Sequence, residues 1–217
     1  MEEKNASNPC YFQSGKKKMD SVKEYELKSG PVSHKRKLVL SPDFVAYESK
    51  GLNGSEWIKI KGGDIVDFKH GMDWIVWYKF TVGRKFMITF KTVDNKELKI
   101  IFSSYFGIDS HLNQIYADIV EDIWQFYHQK IVDRHLERFH NQETITLKGV
   151  SLSSEGIRID AKSPMLPWDR VSIKEYYSYF AIHDKDIPAV HKRISYNEYG
   201  TEILWSMIKT ILEQQED

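Results

Sequence analysis

The fold is decided by a stretch that occurs twice, first as LSPDFVAY at residues 40–47 and again as LSSEGIRI at residues 152–159. The similarity continues in the same order along the chain. DIVDFK at 64–69 matches DRVSIK at 169–174, and IFSSYFG at 101–107 matches ISYNEYG at 194–200. Self-similarity that keeps its order indicates two copies of one supersecondary plan. The sequence therefore predicts a tandem repeat.

Each copy carries strand signals followed by a helix signal. In the first copy, alternating apolar residues are interrupted at Ser41-Pro42-Asp43, Gly83-Arg84 and Asp94-Asn95, which have the chemistry of turns and hairpin loops. Beyond Gly107 the apolar residues recur at steps of three and four, which predicts one long helix from Ser110 to His140. A second amphipathic helix is predicted from Glu202 to Glu213. Each copy thus reads as an antiparallel meander closed by a helix.

These signals divide the chain into three segments. Residues 1–30 are rich in Glu, Lys, Asn and Ser without a sustained period, which predicts a disordered head or an added leader. Residues 31–140 form the first copy with its long helix. Residues 141–217 form the second copy, which is abbreviated because it has room for fewer strands. The predicted fold class is α+β, with two units of strongly bent antiparallel sheet, each closed by a C-terminal helix.

Composition limits the classes of function. The chain has 217 residues, with 31 Lys and Arg against 31 Asp and Glu, and this balance argues against a general nucleic-acid binder. The apolar stretches are far shorter than the ~20 residues that a membrane-spanning helix needs. The single cysteine, Cys10, excludes an intrachain disulfide framework, and no secretory signal is visible. The sequence therefore predicts a cytoplasmic protein without a transmembrane segment.

A motif in the second copy carries a resemblance to a known family. Gly156-Ile157 lies in a hairpin, and it is followed by LPWDRV at residues 166–171 and by the terminal helix. From about Lys37 to Gln214 the chain resembles an uncharacterised group of bacterial proteins with two pleckstrin-homology-like (PH-like) units. The first copy departs from that pattern at Gly62-Gly63-Asp64, where an aromatic residue would precede the acid. The resemblance implies two tandem PH-like units and transfers no functional residue, since this fold hosts lipid-binding, peptide-binding and structural roles.

An aromatic run is the first candidate interaction surface. It contains Trp74, Trp77, Tyr78 and Phe80 on a segment predicted as one strand from Trp74 to Val82. Both faces of such a strand would be apolar, which favours burial on both sides and leaves a partner surface as the alternative. Tyr177 and Tyr179 raise the same question in the second copy. Tyrosine is frequent at contact surfaces, although a half-buried sheet explains these two nearly as well.

A basic segment is the candidate contact for anionic lipid. Between residues 16 and 37 the chain has eight Lys and Arg against three Asp and Glu. The candidate residues are Lys16, Lys17, Lys18, Lys35, Arg36 and Lys37. Basic residues near an anionic leaflet contribute about 1 kcal/mol each. A solvated tail is the favoured interpretation of the same residues.

Signatures of catalysis and of cofactor binding are absent from the sequence. Gly-x-Ser-x-Gly, phosphate-loop and dinucleotide motifs do not occur. His128, His135 and His140 are spaced by seven and five residues, which does not place two metal ligands on one helix face. The sequence thus predicts no cofactor, no metal and no enzyme. The function expected is a non-enzymatic binding or scaffolding module, with a protein partner preferred and peripheral binding to anionic lipid as the alternative.

Overall fold

The N-terminal half of the chain is built from two antiparallel sheets and a long helix. The computed structural model describes residues 22–28, 30, 33–51, 54–105, 110–176 and 178–216. The first sheet has the strand order β1-β2-β3-β4, and the second has the order β5-β6-β7. The strands are β1 Lys23–Lys28, β2 Lys35–Ser41, β3 Phe44–Gly51, β4 Gly54–Lys61, β5 Ile65–Trp77, β6 Phe80–Thr92 and β7 Glu97–Tyr105.

The long helix runs without a break from Ser110 to His140, as the sequence predicts. It consists of α1 (Ser110–Ile123), a π-helical segment (Trp124–His128) and α2 (Gln129–His140). The π-helical segment buries three consecutive residues, Phe126, Tyr127 and His128. A regular α-helix presents a single buried stripe, so burial of three consecutive side chains means that this segment is enclosed on more than one side.

The C-terminal half also has two antiparallel sheets and a helix, and its strands are shorter. Its two antiparallel sheets have the orders β10-β9-β8 and β11-β12-β13. The elements are β8 Ile145–Leu147, β9 Val150–Ser153, β10 Gly156–Arg158, β11 Val171–Glu175, β12 Tyr179–Asp184, β13 His191–Ser195 and the final helix α3 Thr201–Glu216. The described residues therefore form a mixed α+β structure with thirteen strands in four antiparallel sheets.

One continuous hydrophobic core joins the two halves. The long helix lies between them. Tyr127 donates a hydrogen bond of 2.6 Å to the carbonyl of Ser41 in the N-terminal half. On the other side, Phe139 packs edge-on against Trp168, with ring centroids 6.1 Å apart. The helix that the repeat pattern assigns to the first copy thus also supplies part of the core of the second.

Strand β1 corrects the sequence-based view of the head. Residues 23–28 lie within the segment 1–30 that was expected to be disordered, yet they pair with β2 along their whole length. Leu27 is buried in the core, and the Tyr25 hydroxyl donates a 2.5 Å hydrogen bond to Asp122 on α1. Tertiary contacts therefore order a segment whose composition alone suggests a coil. Residues 1–21 lie outside the described part of the chain.

The loop between β5 and β6 is a second correction. The expected hairpin turn at Gly83-Arg84 is wrong, because both residues lie inside β6, and the turn is formed by Tyr78 and Lys79. The other expected hairpin turn, at Asp94-Asn95, is confirmed between β6 and β7, and Asn95 has a φ of 61°. The segment from Trp74 to Val82 is consequently the bend of a hairpin and not a single strand.

The sheets of the described N-terminal half do not close into a barrel. The edge strands β1 and β7 approach each other without pairing. A groove of about 580 Å³ lies along this seam and is lined by β1, the end of β7 and the start of α1. None of the helices among the described residues is long and apolar enough to cross a membrane.

Candidate functional site

The β5–β6 hairpin extends beyond the sheet to which it belongs. Its two strands have 13 residues each and pair from Ile65 opposite Thr92 to Trp77 opposite Phe80. The third strand, β7, accompanies β6 only as far as the pair Gly83 and Tyr105. The end of the hairpin is therefore a two-stranded ribbon that projects past β7. Residues 74–82 are called the hairpin tip.

The hairpin tip exposes large apolar side chains. Trp77 is 75% exposed, Tyr78 86% and Phe80 72%, and Trp74 and Val76 are also more than half exposed. Burial on both sides, which the sequence favoured for this run, is therefore wrong. The alternative interpretation, a surface for a partner, agrees with this exposure. Contiguous exposed apolar residues mark sites of interaction with proteins or membranes.

The turn at the apex holds an aromatic residue in an unfavourable backbone conformation. Tyr78 is the first residue of a two-residue hairpin loop and has a φ of 58°. Glycine usually occupies a position with positive φ in such loops, because a side chain there crowds the backbone. The cost is of the order of 1–2 kcal/mol. The chain thus places an exposed tyrosine at the apex of the hairpin at a conformational cost.

Close packing anchors the base of the tip. The guanidinium carbon of Arg84 lies 4.3 Å from the centroid of the Trp74 ring, and the same group donates a 3.1 Å hydrogen bond to Asn113 on α1. Beside it, a Cβ atom on Gly83 would lie only 2.0 Å from the carbonyl oxygen of Ser104 on β7. Glycine is therefore required at this position for the close approach of β6 and β7, and not for a turn. The tip projects from a rigid base.

The candidate tyrosines of the C-terminal half lie in a different sheet. Tyr179, on β12, is half-buried and stacks on Tyr176, with ring centroids 4.5 Å apart. The Arg193 guanidinium covers the Tyr179 ring at 5.5 Å. Tyr179 is therefore engaged with its own chain. Tyr177 lies outside the described residues, so its part in a contact surface stays a prediction.

The basic candidates are partly neutralised by carboxylates on β1. Lys35 forms an ion pair with Glu26, and Lys37 forms one with Glu24 at 2.8 Å. The hydrogen bond and the charge of Glu24 raise the pKa of Lys37. Arg36 is partly buried opposite Leu27. Two of the predicted lipid contacts thus already have anionic partners, whereas Lys16, Lys17 and Lys18 lie outside the described residues.

A second cluster of titratable groups lies at the junction of the two halves. His128 is buried beside Trp124, and its Nε2 lies 2.8 Å from the Ser206 hydroxyl on α3. Burial lowers the pKa of His128 to about 3 and that of His70, which contacts the Tyr116 hydroxyl at 2.8 Å, to about 4. Both imidazoles are therefore neutral at physiological pH.

Two carboxyl groups at the same junction are shifted in the other direction. Burial raises the pKa of Asp67 on β5 to about 6. Burial, together with the nearby charge of Asp67, raises the pKa of Glu202 on α3 to about 7. Desolvation between packed elements is the largest cause of all four pKa shifts. Sequence reasoning missed His70, Asp67 and Glu202, because no spacing along the chain predicts that β5 meets α3.

No protein-family model matches the chain, and no curated protein matches its sequence. The roles assigned to residues below therefore rest on the geometry of this chain.

Proposed function

We propose that this chain is a non-enzymatic binding or scaffolding module that makes its principal contact through the hairpin tip. The observation that carries the proposal is the exposure of Trp77, Tyr78 and Phe80 at the end of a ribbon that projects from the sheet. Tryptophan and tyrosine are also the residue types that most often dominate the energy of an interface. The preference for a protein partner and a cytoplasmic location stay predictions.

The proposal includes two tandem PH-like units, the second abbreviated. In support, each half has two antiparallel sheets followed by a helix, with four and three strands in the first half and three and three in the second. The place of β4 is taken in the second half by a single bridge between Ile157 and Leu166. The second half is thus one strand shorter than the first.

The repeated sequence stretches fall on corresponding elements, which supports the same proposal. Residues 40–47 and 152–159 lie in the hairpins β2–β3 and β9–β10. Residues 64–69 and 169–174 contain the starts of β5 and β11, each of which follows a turn of 3₁₀ helix (Gly62–Asp64 and Trp168–Arg170). On this basis the first unit starts at Lys23 instead of residue 31.

A binding role accounts for side chains that folding does not require. Burying a large apolar side chain stabilises a protein by about 1.5–3 kcal/mol relative to leaving it exposed. The exposed side chains of the tip do not contribute this stabilisation to the folded chain. The positive φ of Tyr78 adds a further cost. A partner that covers the tip recovers the burial energy when it binds.

Site-specific photocrosslinking in cells that naturally produce the chain tests the proposal. A photoreactive amino acid replaces Tyr78 in one variant and Glu155, at the exposed β9–β10 turn, in a matched control. We expect one adduct of defined mass, with a protein or a lipid, at position 78 and none at position 155. Equal labelling at both positions, or no adduct at position 78, would overturn the assignment of the tip as the contact surface.

A further inference from the structure

The shape of the hairpin tip restricts what can cover it. Beyond Gly83 none of the described residues forms a strand beside the ribbon, and apolar side chains emerge from both of its faces. The tip is therefore a convex projection with apolar residues all round, and not one face of a sheet. A fluid medium can surround such a projection on all sides, so that no preformed pocket is needed.

The residue types at the tip suit the boundary between water and hydrocarbon. Tryptophan and tyrosine concentrate at the interfaces of bilayers, where an apolar ring and a polar hydrogen-bonding group are both accommodated. Trp74, Trp77 and Tyr78 supply such side chains, while Phe80 and Val76 are purely apolar. Lys79, at the apex, has a long stem that can return its ammonium group towards the headgroups.

The length of the projection matches the thickness of that boundary. The ribbon extends three residues from Gly83 to Phe80, which is about 10 Å at the rise of a β-strand. Interfacial protein segments bury their apolar side about 5–10 Å deep at the headgroup boundary. Insertion of the tip up to its base would therefore place Trp77, Tyr78 and Phe80 below the phosphate groups.

The charge of the tip and of its base complements an anionic surface. Between residues 72 and 85 the cationic residues are Lys79, Arg84 and Lys85, against one acidic residue, Asp73, which pairs in register with Lys85. Arg84 is held in place by Trp74 and Asn113, so its charge stays at the level of the base. This excess of positive charge favours a leaflet that contains anionic lipid.

From these observations we infer that the hairpin tip inserts into the interfacial region of a lipid bilayer that carries anionic headgroups. The inference rests on the proposed binding function and names its partner as a membrane surface, in place of the protein partner that the sequence favoured. It differs from attachment through the basic segment, where Lys35 and Lys37 are paired with Glu26 and Glu24. The apolar side chains supply most of the affinity, and the cations at the base add selectivity for anionic lipid.

The test is co-sedimentation of the full chain with vesicles of phosphatidylcholine alone and of phosphatidylcholine mixed with phosphatidylserine. The tip variant is Trp77→Ala/Phe80→Ala, and the matched control is Trp57→Ala, an exposed tryptophan on β4 outside the tip. We expect the full chain to bind the mixed vesicles more tightly than the neutral ones. The tip variant should lose at least about tenfold in partitioning, and the control should change less than about twofold.

Salt and fluorescence separate insertion from surface attraction. Insertion should persist, although weakened, when salt is raised from about 0.1 M to about 0.5 M, because the apolar contribution is not screened. A Cys10→Ser/Tyr78→Cys chain that carries an environment-sensitive dye should show a blue-shifted emission on the mixed vesicles. An unshifted emission on bound vesicles would overturn insertion.

Three further results would overturn the inference. The first is failure of the full chain to bind either kind of vesicle. The second is equal binding by the tip variant together with loss of binding in Lys35→Gln/Lys37→Gln, which would assign the membrane contact to the basic segment. The third is a protein adduct or a second copy of this chain at position 78 without vesicle binding, and this result would leave the proposed binding function standing.

Discussion

The β5–β6 hairpin of the N-terminal half and the β11–β12 hairpin of the C-terminal half each belong to the second sheet of their half, but they differ in length. Both follow a turn of 3₁₀ helix and pair with the last strand before a helix. The strands of the first have 13 residues each, whereas those of the second have 5 and 6. The C-terminal half shows that a three-stranded sheet forms with a hairpin whose strands have only 5 and 6 residues. The extension in the first half is therefore an addition that serves something other than the sheet.

The two hairpins also differ in how their aromatic residues are used. Near the end of the shorter hairpin, Tyr176 and Tyr179 stack on each other, and Glu175 accepts a 3.3 Å hydrogen bond from Trp205 on α3. At the longer hairpin, Trp77, Tyr78 and Phe80 extend into solvent. The first arrangement stabilises the fold, and the second leaves apolar surface exposed to solvent. Five experiments test whether the packed elements stabilise the fold while the hairpin tip does not.

Removal of a core phenylalanine from either hairpin should have the largest effect. Phe86 on β6 and Phe180 on β12 are both fully buried in the one continuous core. Phe86→Ala and Phe180→Ala should each lower the free energy of unfolding by about 3–5 kcal/mol. Denaturant unfolding followed by fluorescence and by circular dichroism measures the effect. Because the core is shared, we expect a single transition, and two separated transitions would show that the halves unfold independently.

The next effect should come from Gly83→Ala at the base of the tip. The new Cβ would overlap the backbone of Ser104 and push β6 away from β7, so we expect a loss of at least about 2 kcal/mol. The matched control is Gly63→Ala, where a Cβ would meet open space. Thermal and denaturant unfolding compare the two variants. Equal stability of both would mean that the base of the tip is not rigid.

The junction between the halves predicts a pH-dependent effect of Glu202→Gln. The pKa of Glu202 is raised to about 7 in the folded chain, so folding is disfavoured as the carboxyl group ionises above its ordinary pKa. Glutamine stays neutral, and the variant should therefore be about 1–2 kcal/mol more stable than the parent chain near pH 8. The difference should vanish below about pH 4.5, where the carboxyl group is protonated in both states. Unfolding curves across this range measure it.

The control for the junction is Glu213→Gln, an exposed position on the same helix. It should change stability by less than about 0.5 kcal/mol at every pH. A similar pH-dependent gain in both variants would show that the effect comes from the net charge of the helix and not from the burial of Glu202.

Shortening the longer hairpin should make it resemble the shorter one at small cost. Residues 76–82 are replaced by Asn-Gly, which joins the paired residues Ile75 and Gly83 by a favourable two-residue turn. We expect the free energy of unfolding to change by less than about 1 kcal/mol, because the removed residues lie outside the three-stranded sheet. Vesicle binding should be lost. A shortened chain that unfolds readily would contradict the view of the tip as an addition.

The smallest effect on stability is expected for Trp77→Ala. This side chain is 75% exposed, and surface substitutions usually change stability by less than about 0.5 kcal/mol. Measurement of thermal unfolding beside vesicle binding should give an unchanged midpoint and reduced binding. A marked loss of stability would show that the ring packs against the chain in solution.

Much of the fold is predictable because local patterns agree with the global arrangement. The step of three and four residues beyond Gly107 predicts the long helix, and the observed helix runs from Ser110 to His140. The turns at Pro42-Asp43 and Asp94-Asn95 follow from their residue types. The ordered repeat predicts a second, shorter set of sheets followed by a helix. Such agreement between local and global preference is expected of a foldable sequence.

The features that escaped prediction depend on contacts between distant residues. Glycine is a typical turn residue, but Gly83 is needed because the backbone of Ser104 lies so close to it. The turn itself lies at Tyr78, a residue type that sequence rules disfavour at a position with positive φ. Strand β1 is ordered by β2 and by Asp122 on α1. For the site, the sequence identified Trp74, Trp77 and Tyr78 but could not separate two-sided burial from exposure, since both produce the same run of apolar residues.

The π-helical segment Trp124–His128 sets how the two halves face each other. On one side of it, Tyr127 bonds to Ser41, and on the other, His128 contacts Ser206. Each residue of a helix turns the chain by about 100°, so insertion or removal of one residue in this segment would swing everything that follows by that angle. The phase of a single helical turn thus fixes the direction in which the C-terminal half points relative to the hairpin tip.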